Sequence, residues 1–162
     1  MILFLDFDGV LHSVQATESE GFQHVPALEA VLRDFPLVQI VISSSWRYHE
    51  CLEQLKAHFS PDIAKRIIGV TPTLEPTWQE YARFLEISAW IDQNDCWGEW
   101  VAIDDQYGEF PQIGEGLDIQ ELENFDIEQK WHPNLIWCRK RFGLRQSNLD
   151  ELRRRLESCS SF

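Results

Sequence analysis

The sequence predicts an α/β fold built on a parallel sheet, and three observations carry that prediction. Apolar runs of strand length recur along the chain, beginning with Ile2-Leu3-Phe4-Leu5, and read as strands covered on both faces. Amphipathic segments of helical period lie between them, the alternation that builds parallel sheets. Residues able to do chemistry follow three of the runs directly: Asp6 and Asp8 after the first, Ser43 after the second, Asp104 and Asp105 after a later one.

The first strand is expected over residues 2–5, with Gly9 allowing a sharp exit. Residues 13–24 read as a polar loop, and Pro26 opens a helix to Phe35 with Leu28, Val31 and Leu32 on one side. Leu37 to Ile42 is the second strand. Trp46 to Phe59 reads as one helix, with Leu52, Leu55 and Phe59 at helical spacing and Ser45 as its cap. A helical turn over residues 61–66 precedes a strand at Ile67 to Val70. A helix starting at Thr77 or Trp78 runs to Ile91, with Tyr81, Phe84, Leu85, Ser88 and Ile91 on one face. Trp100 to Ile103 is the next buried strand. Residues 108–130 are acidic and irregular, a loop with a short helix, broken by Gly114 and Gly116. Leu135 to Trp137 is the last strand, and a terminal helix follows from Asn148 as its N-cap.

At 162 residues the chain is sized for a single domain over 1–162. Fourteen basic against 27 acidic residues leave a net charge of −13, which argues against a general nucleic-acid or anionic-membrane binder. The cationic residues near the C-terminus, Arg139, Lys140, Arg141 and Arg145, then Arg153 to Arg155, read first as solvated surface balancing acidic neighbours. The 4 cysteines are scattered with no Cys-x-x-Cys, so neither a zinc site nor a disulfide framework is expected. With a strand directly after Met1, no apolar run of membrane-spanning length and no signal-peptide pattern, the expected location is the cytoplasm.

Side chains two apart on an extended backbone point the same way, so Asp6 and Asp8 are expected to face one volume with Cα atoms roughly 6.5–7 Å apart. Such a pair either shares a proton or holds a cation. Ligands of open α/β sheets bind beyond the carboxyl ends of strands, where the strand order reverses. Asp6, Asp8, Asp104 and Asp105, with the Ser43 hydroxyl, would then meet in one crevice. Four carboxylates together call for a hard cation with oxygen ligands, and Mg2+ fits, with waters and a substrate phosphate oxygen completing its shell.

With these blocks in place, the chain resembles the haloacid dehalogenase-like (HAD) hydrolase superfamily. Phe4-Leu5-Asp6-Phe7-Asp8-Gly9-Val10-Leu11 is similar to its first motif, Ile40-Val41-Ile42-Ser43 to its second and Val101-Ala102-Ile103-Asp104-Asp105 to its fourth. Ser43-Ser44-Ser45-Trp46-Arg47, the block around Asp104 and the late Gly143-Leu144 resemble the small HAD domains of Swiss Army Knife RNA-repair proteins. The resemblance implies a three-layer, doubly wound, Rossmann-like core with little or no cap, and a magnesium-dependent phosphatase. Position by position, it implies Asp6 as nucleophile forming an aspartyl phosphate, and Asp8 as the acid and base for leaving oxygen and water. Asp6, Asp104, Asp105 and a carbonyl of residue 8 would hold the metal. Ser43 would bind a phosphoryl oxygen, with Ser44 its rival.

The family's third motif usually supplies a lysine, and this chain has none at that place. Arg83 is the candidate to offset the charge of phosphate and nucleophile, with Lys65 and Arg66 as alternatives. Arg47 would also reach the phosphate, and His12 would line the entrance. Trp90, Trp100 and Trp137 fall in core-like patterns, while Trp46, Trp78, Trp97 and Trp131 are open to stacking on a base or aromatic substrate. An almost uncapped site suits a phosphorylated small molecule, protein or nucleic-acid end, without membrane binding or an extended nucleic-acid footprint. A catalytically weak regulatory or interaction domain is the alternative reading. A phosphoacceptor receiver ranks last, because such a module needs an aspartate where Ser43-Ser44-Ser45 stands.

Overall fold

Four consecutive apolar residues buried on every side make Ile2–Leu5 (β1) the natural centre of a sheet. In the computed structural model, which describes residues 1–13, 15, 21–76, 79–112 and 132–159, β1 is flanked by Gln39–Ile42 (β2) and Trp100–Asp104 (β4). Ile67–Val70 (β3) and Leu135–Trp137 (β5) extend the sheet outward, giving the parallel order β3-β2-β1-β4-β5.

The period of two along each strand sorts the core into two halves. Leu3, Leu5, Ile40, Ile42, Val101, Ile103 and Ile136 face one side. There they meet Val25–Asp34 (α1), Leu52–Lys56 (α2), Pro61–Ala64 (α3) and Gln146–Cys159 (α5) through residues such as Leu28, Leu55, Ile63 and Leu152. Ile2, Phe4, Val41, Ala102 and Leu135 face the other side, against Ile87, Trp90 and Ile91 of Ala82–Gln93 (α4) and against Phe110. Helices on both faces of one parallel sheet make the three-layer, doubly wound arrangement expected. The chain builds outward from β1 through β2 to β3, then crosses to β4 and β5 on the other side. The crevice of such a fold therefore lies where β1 and β4 end.

The segment expected as one helix from Trp46 to Phe59 is three pieces: a 3₁₀ turn over Ser45–Tyr48, α2 and a loose turn before α3. Trp46 and Arg47 are the cause, since both side chains turn back toward the strand ends instead of following a helical stripe. The cap of the 3₁₀ turn is Ser44, not Ser45. Helix α4 starts at Ala82, because Tyr81 before it has left-handed backbone (φ 57) that cannot continue a helix. Thr77 and Trp78, and most of residues 108–130, lie outside the described residues. Helix α5 starts at Gln146, so Asn148 is in its first turn and not its N-cap; its Oδ1 reaches back to accept from the Arg145 N–H at 3.0 Å. No described helix is long and apolar enough to cross a membrane.

Candidate active site

Sheet register brings the site together. Leu5 is level with Ile42 on β2 and Ile103 on β4, so the next residue of each strand, Asp6, Ser43 and Asp104, emerges at one height. The Asp6 N–H donates to the Ile103 carbonyl and the Ser43 N–H to the Leu5 carbonyl, which continues the ladder by one step. Asp6 and Asp104 are buried, and oxygens of Asp6, Asp104 and Asp105 all lie within 4.8 Å of one another. Gly9 is required here twice over: its φ is +68°, and a Cβ would fall 2.3 Å from Asp105 Oδ2.

The carboxylate of Asp8 does not join the other three, contrary to the expectation from two-residue spacing. Strand β1 ends at Leu5, and both Val10 and Leu11 donate their N–H to the Phe7 carbonyl, so the backbone is already turning at Asp8. Asp8 Oδ1 instead accepts from the Trp46 indole N–H at 3.0 Å and lies 2.9 Å from His12 Nε2. Its other oxygen has no partner among the described residues. The Trp46 ring is enclosed by Phe7, Phe22 and His58, with centroids 5.8, 5.1 and 5.5 Å away, so it is a packed support and not an open stacking face. His12, expected at the entrance, sits beside the site through Asp8.

The two rival serines differ. Ser44 Oγ accepts from the Trp46 N–H and is committed to a cap, whereas Ser43 Oγ is buried with no hydrogen-bond partner among the described residues. Among the three basic residues considered for the missing lysine, only Arg83 reaches the site. Its Nη1 is 3.6 Å from Asp6 Oδ1 and 3.6 Å from Asp104 Oδ2, and it donates to the Ser43 carbonyl. Arg66 is occupied elsewhere, donating to the carbonyls of Leu32 in the last turn of α1 and of Phe35 and Val38 beyond it, and Lys65 is exposed after α3.

Arg47 also lies near the strand ends, bound to protein rather than open. Its guanidinium donates to the Ser43 and Ser44 carbonyls at 3.0 and 2.9 Å and pairs with Glu86 Oε1 at 2.6 Å, both side chains being buried. Glu86 was not among the residues singled out from the sequence. Its signal was its place three residues after Arg83 on one helix, which puts both on the face that meets the sheet. Glu109 was also passed over; its Oε2 accepts from the Arg83 backbone N–H at 3.4 Å.

The electrostatics of the cluster favour a cation. Burial pushes the Asp104 carboxyl well above its ordinary range, with Arg83 opposing and Asp6 adding to the rise. Asp105 is raised to about 6, again chiefly by burial and then by Asp6, while Arg83 and Lys140 pull the other way. Burial alone would lower Arg83, but Asp104, Asp6, Glu86 and Glu109 outweigh it and hold its charge more firmly. Asp104 Oδ2 and Asp105 Oδ1 are buried without a hydrogen-bond partner among the described residues. Three converging carboxylates, two of whose buried oxygens accept no hydrogen bond among the described residues, fit a hard divalent ion with oxygen ligands.

Residues 2–149 match the family model described as the HAD domain in Swiss Army Knife RNA repair proteins. No curated protein and no solved structure matches the chain.

Proposed function

The chain belongs to the family of HAD domains in Swiss Army Knife RNA repair proteins, and from that membership we propose that it is a phosphomonoester hydrolase that uses Mg2+ and passes through an aspartyl phosphate. The observation that carries this reading is the level meeting of Asp6, Ser43 and Asp104 across three strand ends, with Arg83 against both carboxylates.

A magnesium ion held by Asp6, Asp104 and Asp105 would neutralise their charge and that of the phosphoryl group, polarising phosphorus toward attack. An Asp6 oxygen would attack phosphorus while the bond to the leaving oxygen breaks. Arg83 would keep phosphate and nucleophile from repelling each other, and Ser43 Oγ, buried and without a hydrogen-bond partner among the described residues, would donate to a phosphoryl oxygen. Asp8, held by His12 and Trp46, would give its proton to the leaving oxygen. It would then take one from the water that attacks the acyl phosphate, releasing inorganic phosphate and restoring Asp6.

The test is hydrolysis of an aryl phosphate by folded wild type and Asp6→Asn, with magnesium and with chelator. Loss of about 10³-fold or more in the variant, and loss with chelator, is expected of a nucleophile and its metal. A wild type that binds magnesium yet turns nothing over would move the reading to a regulatory or interaction domain.

A further inference from the structure

Beside Asp105 the surface opens into a groove of about 1000 Å³ whose walls carry Tyr107, Trp137, Arg139, Lys140, Arg141 and Phe142. In a chain of net charge −13 this concentration of cations stands apart. The two basic clusters near the C-terminus differ in what they do. Arg153 pairs with Asp34 and Arg155 with Glu151, as solvated balancing charges do. Arg139, Lys140, Arg141 and Arg145 are all exposed, and none forms an ion pair with a carboxylate among the described residues. Glu109 is the acidic side chain on the groove wall besides Asp105.

The groove is also built, not a chance of loose loops. The turn from Arg139 to Gly143 is closed by the N–H groups of Phe142 and Gly143 donating to the Arg139 carbonyl, at 2.7 and 3.1 Å. Ser13 Oγ donates to the Arg141 carbonyl at 2.7 Å, His24 Nε2 lies 3.0 Å from the Phe142 carbonyl, and the Leu144 N–H donates to the Val10 carbonyl at 2.8 Å. Gly143, at φ +67°, lets the turn press against the His24 ring, where a Cβ would fall 2.6 Å away. The basic turn is thus fastened to the loop that carries Asp8. Its side chains are arranged as stacks: Arg139 lies over the Trp137 ring, and Arg141 and Arg145 both lie over Phe142, itself 45% exposed.

We propose that this groove seats the end of a single-stranded nucleic acid whose terminal phosphate enters the site at Asp6. The proposal rests on the phosphatase reading above and names its substrate class. Cations interleaved with aromatic faces suit a chain of alternating phosphates and bases, because every base offers a face to stack on and every linkage a charge to neutralise. A phosphorylated peptide would use the cations and leave the aromatic faces without purpose.

The probe is a short single-stranded oligonucleotide with a terminal phosphate, with an aryl phosphate and a phosphopeptide alongside. The variants are Phe142→Ala and the pair Arg139→Glu with Arg141→Glu, all at exposed positions outside the catalytic set. Each is expected to lower kcat/KM on the oligonucleotide by about tenfold or more, mainly through KM, since stacking and phosphate contacts are of that size. Aryl phosphate hydrolysis should stay within about twofold, because the chemistry at Asp6 is untouched. Equal losses on both substrates, no loss on the oligonucleotide, or a phosphopeptide that depends on the same residues as strongly, would overturn the proposal. Binding of the oligonucleotide to the Asp6→Asn protein, followed by fluorescence anisotropy, separates the two readings. Binding that falls in the groove variants supports the groove even where the phosphatase reading fails, and no binding overturns it.

Discussion

A side chain's job in this site is set by what holds it. Asp8 is half-exposed and would be free to rotate, but His12 and Trp46 both hold Oδ1 and leave Oδ2 without a partner among the described residues. Trp46 only donates, and its ring is locked among Phe7, Phe22 and His58. We expect His12→Ala and Trp46→Phe to lower kcat/KM by about 10- to 100-fold on alkyl phosphates, whose leaving oxygen needs a proton, a fraction of what general acid catalysis contributes. On aryl phosphates with acidic leaving groups the loss should be small. A loss that does not vary with leaving-group pKa would mean that the two residues support the loop and not the acid. The residue scale is also where sequence reading stopped short: Asp8 was legible as part of the site, yet its direction was not, because period-two logic ends with the strand at Leu5.

At the scale of elements, strands were easy to read and helices near the site were not. The sheet strands bury apolar residues continuously, so composition alone marks them, and the site residues Asp6, Ser43, Asp104 and Asp105 follow from where those runs stop. Helix α4 buries Arg83, Glu86, Ile87, Trp90 and Ile91, a stripe at helical spacing whose first members are charged. An apolar pattern search passes over such a face and selects Tyr81, Phe84, Leu85 and Ser88 instead, although Leu85 is 37% exposed. The charges are there because α4 reaches across the strand ends: Arg83 to the carboxylates, Glu86 to Arg47, which grips the Ser43 and Ser44 carbonyls. Removing one partner of a buried pair leaves the other charge uncompensated, so Glu86→Ala should cost about 3–5 kcal/mol. In a chain of this length that is a fall in Tm of about 10 °C. The double variant Arg47→Met, Glu86→Leu should regain most of that stability by packing alone, without regaining activity, since the Ser43 and Ser44 carbonyls then lose the Arg47 guanidinium that holds them. Recovery of both together would make the pair purely structural.

For the molecule as a whole, the site is an electrostatic cost that folding imposes. A chain already at −13 brings the buried Asp6 and Asp104 together with Asp105 at one end of the sheet, where the unfolded chain keeps them apart in water. Because Asp104 and Asp105 have pKa values raised from the ordinary 3.8, to about 6 for Asp105, the folded form holds more protons than the unfolded form as pH rises from about 4. Stability from this source therefore falls as pH rises, the reverse of what a salt-bridged carboxylate gives. Without a divalent ion, Asp104→Asn should melt above wild type at pH 8, by on the order of 5 °C, and the gap should close toward pH 4 as the wild-type carboxyl protonates. Magnesium adds stability only to the chain that can bind it, about 2.7 kcal/mol at one hundred times its Kd. At saturating magnesium and pH 8 the order of the two melting temperatures should therefore reverse. An Asn variant that never exceeds metal-free wild type, or that keeps its advantage with magnesium present, would mean that Arg83 alone balances the carboxylates and that the cluster was not shaped around an ion.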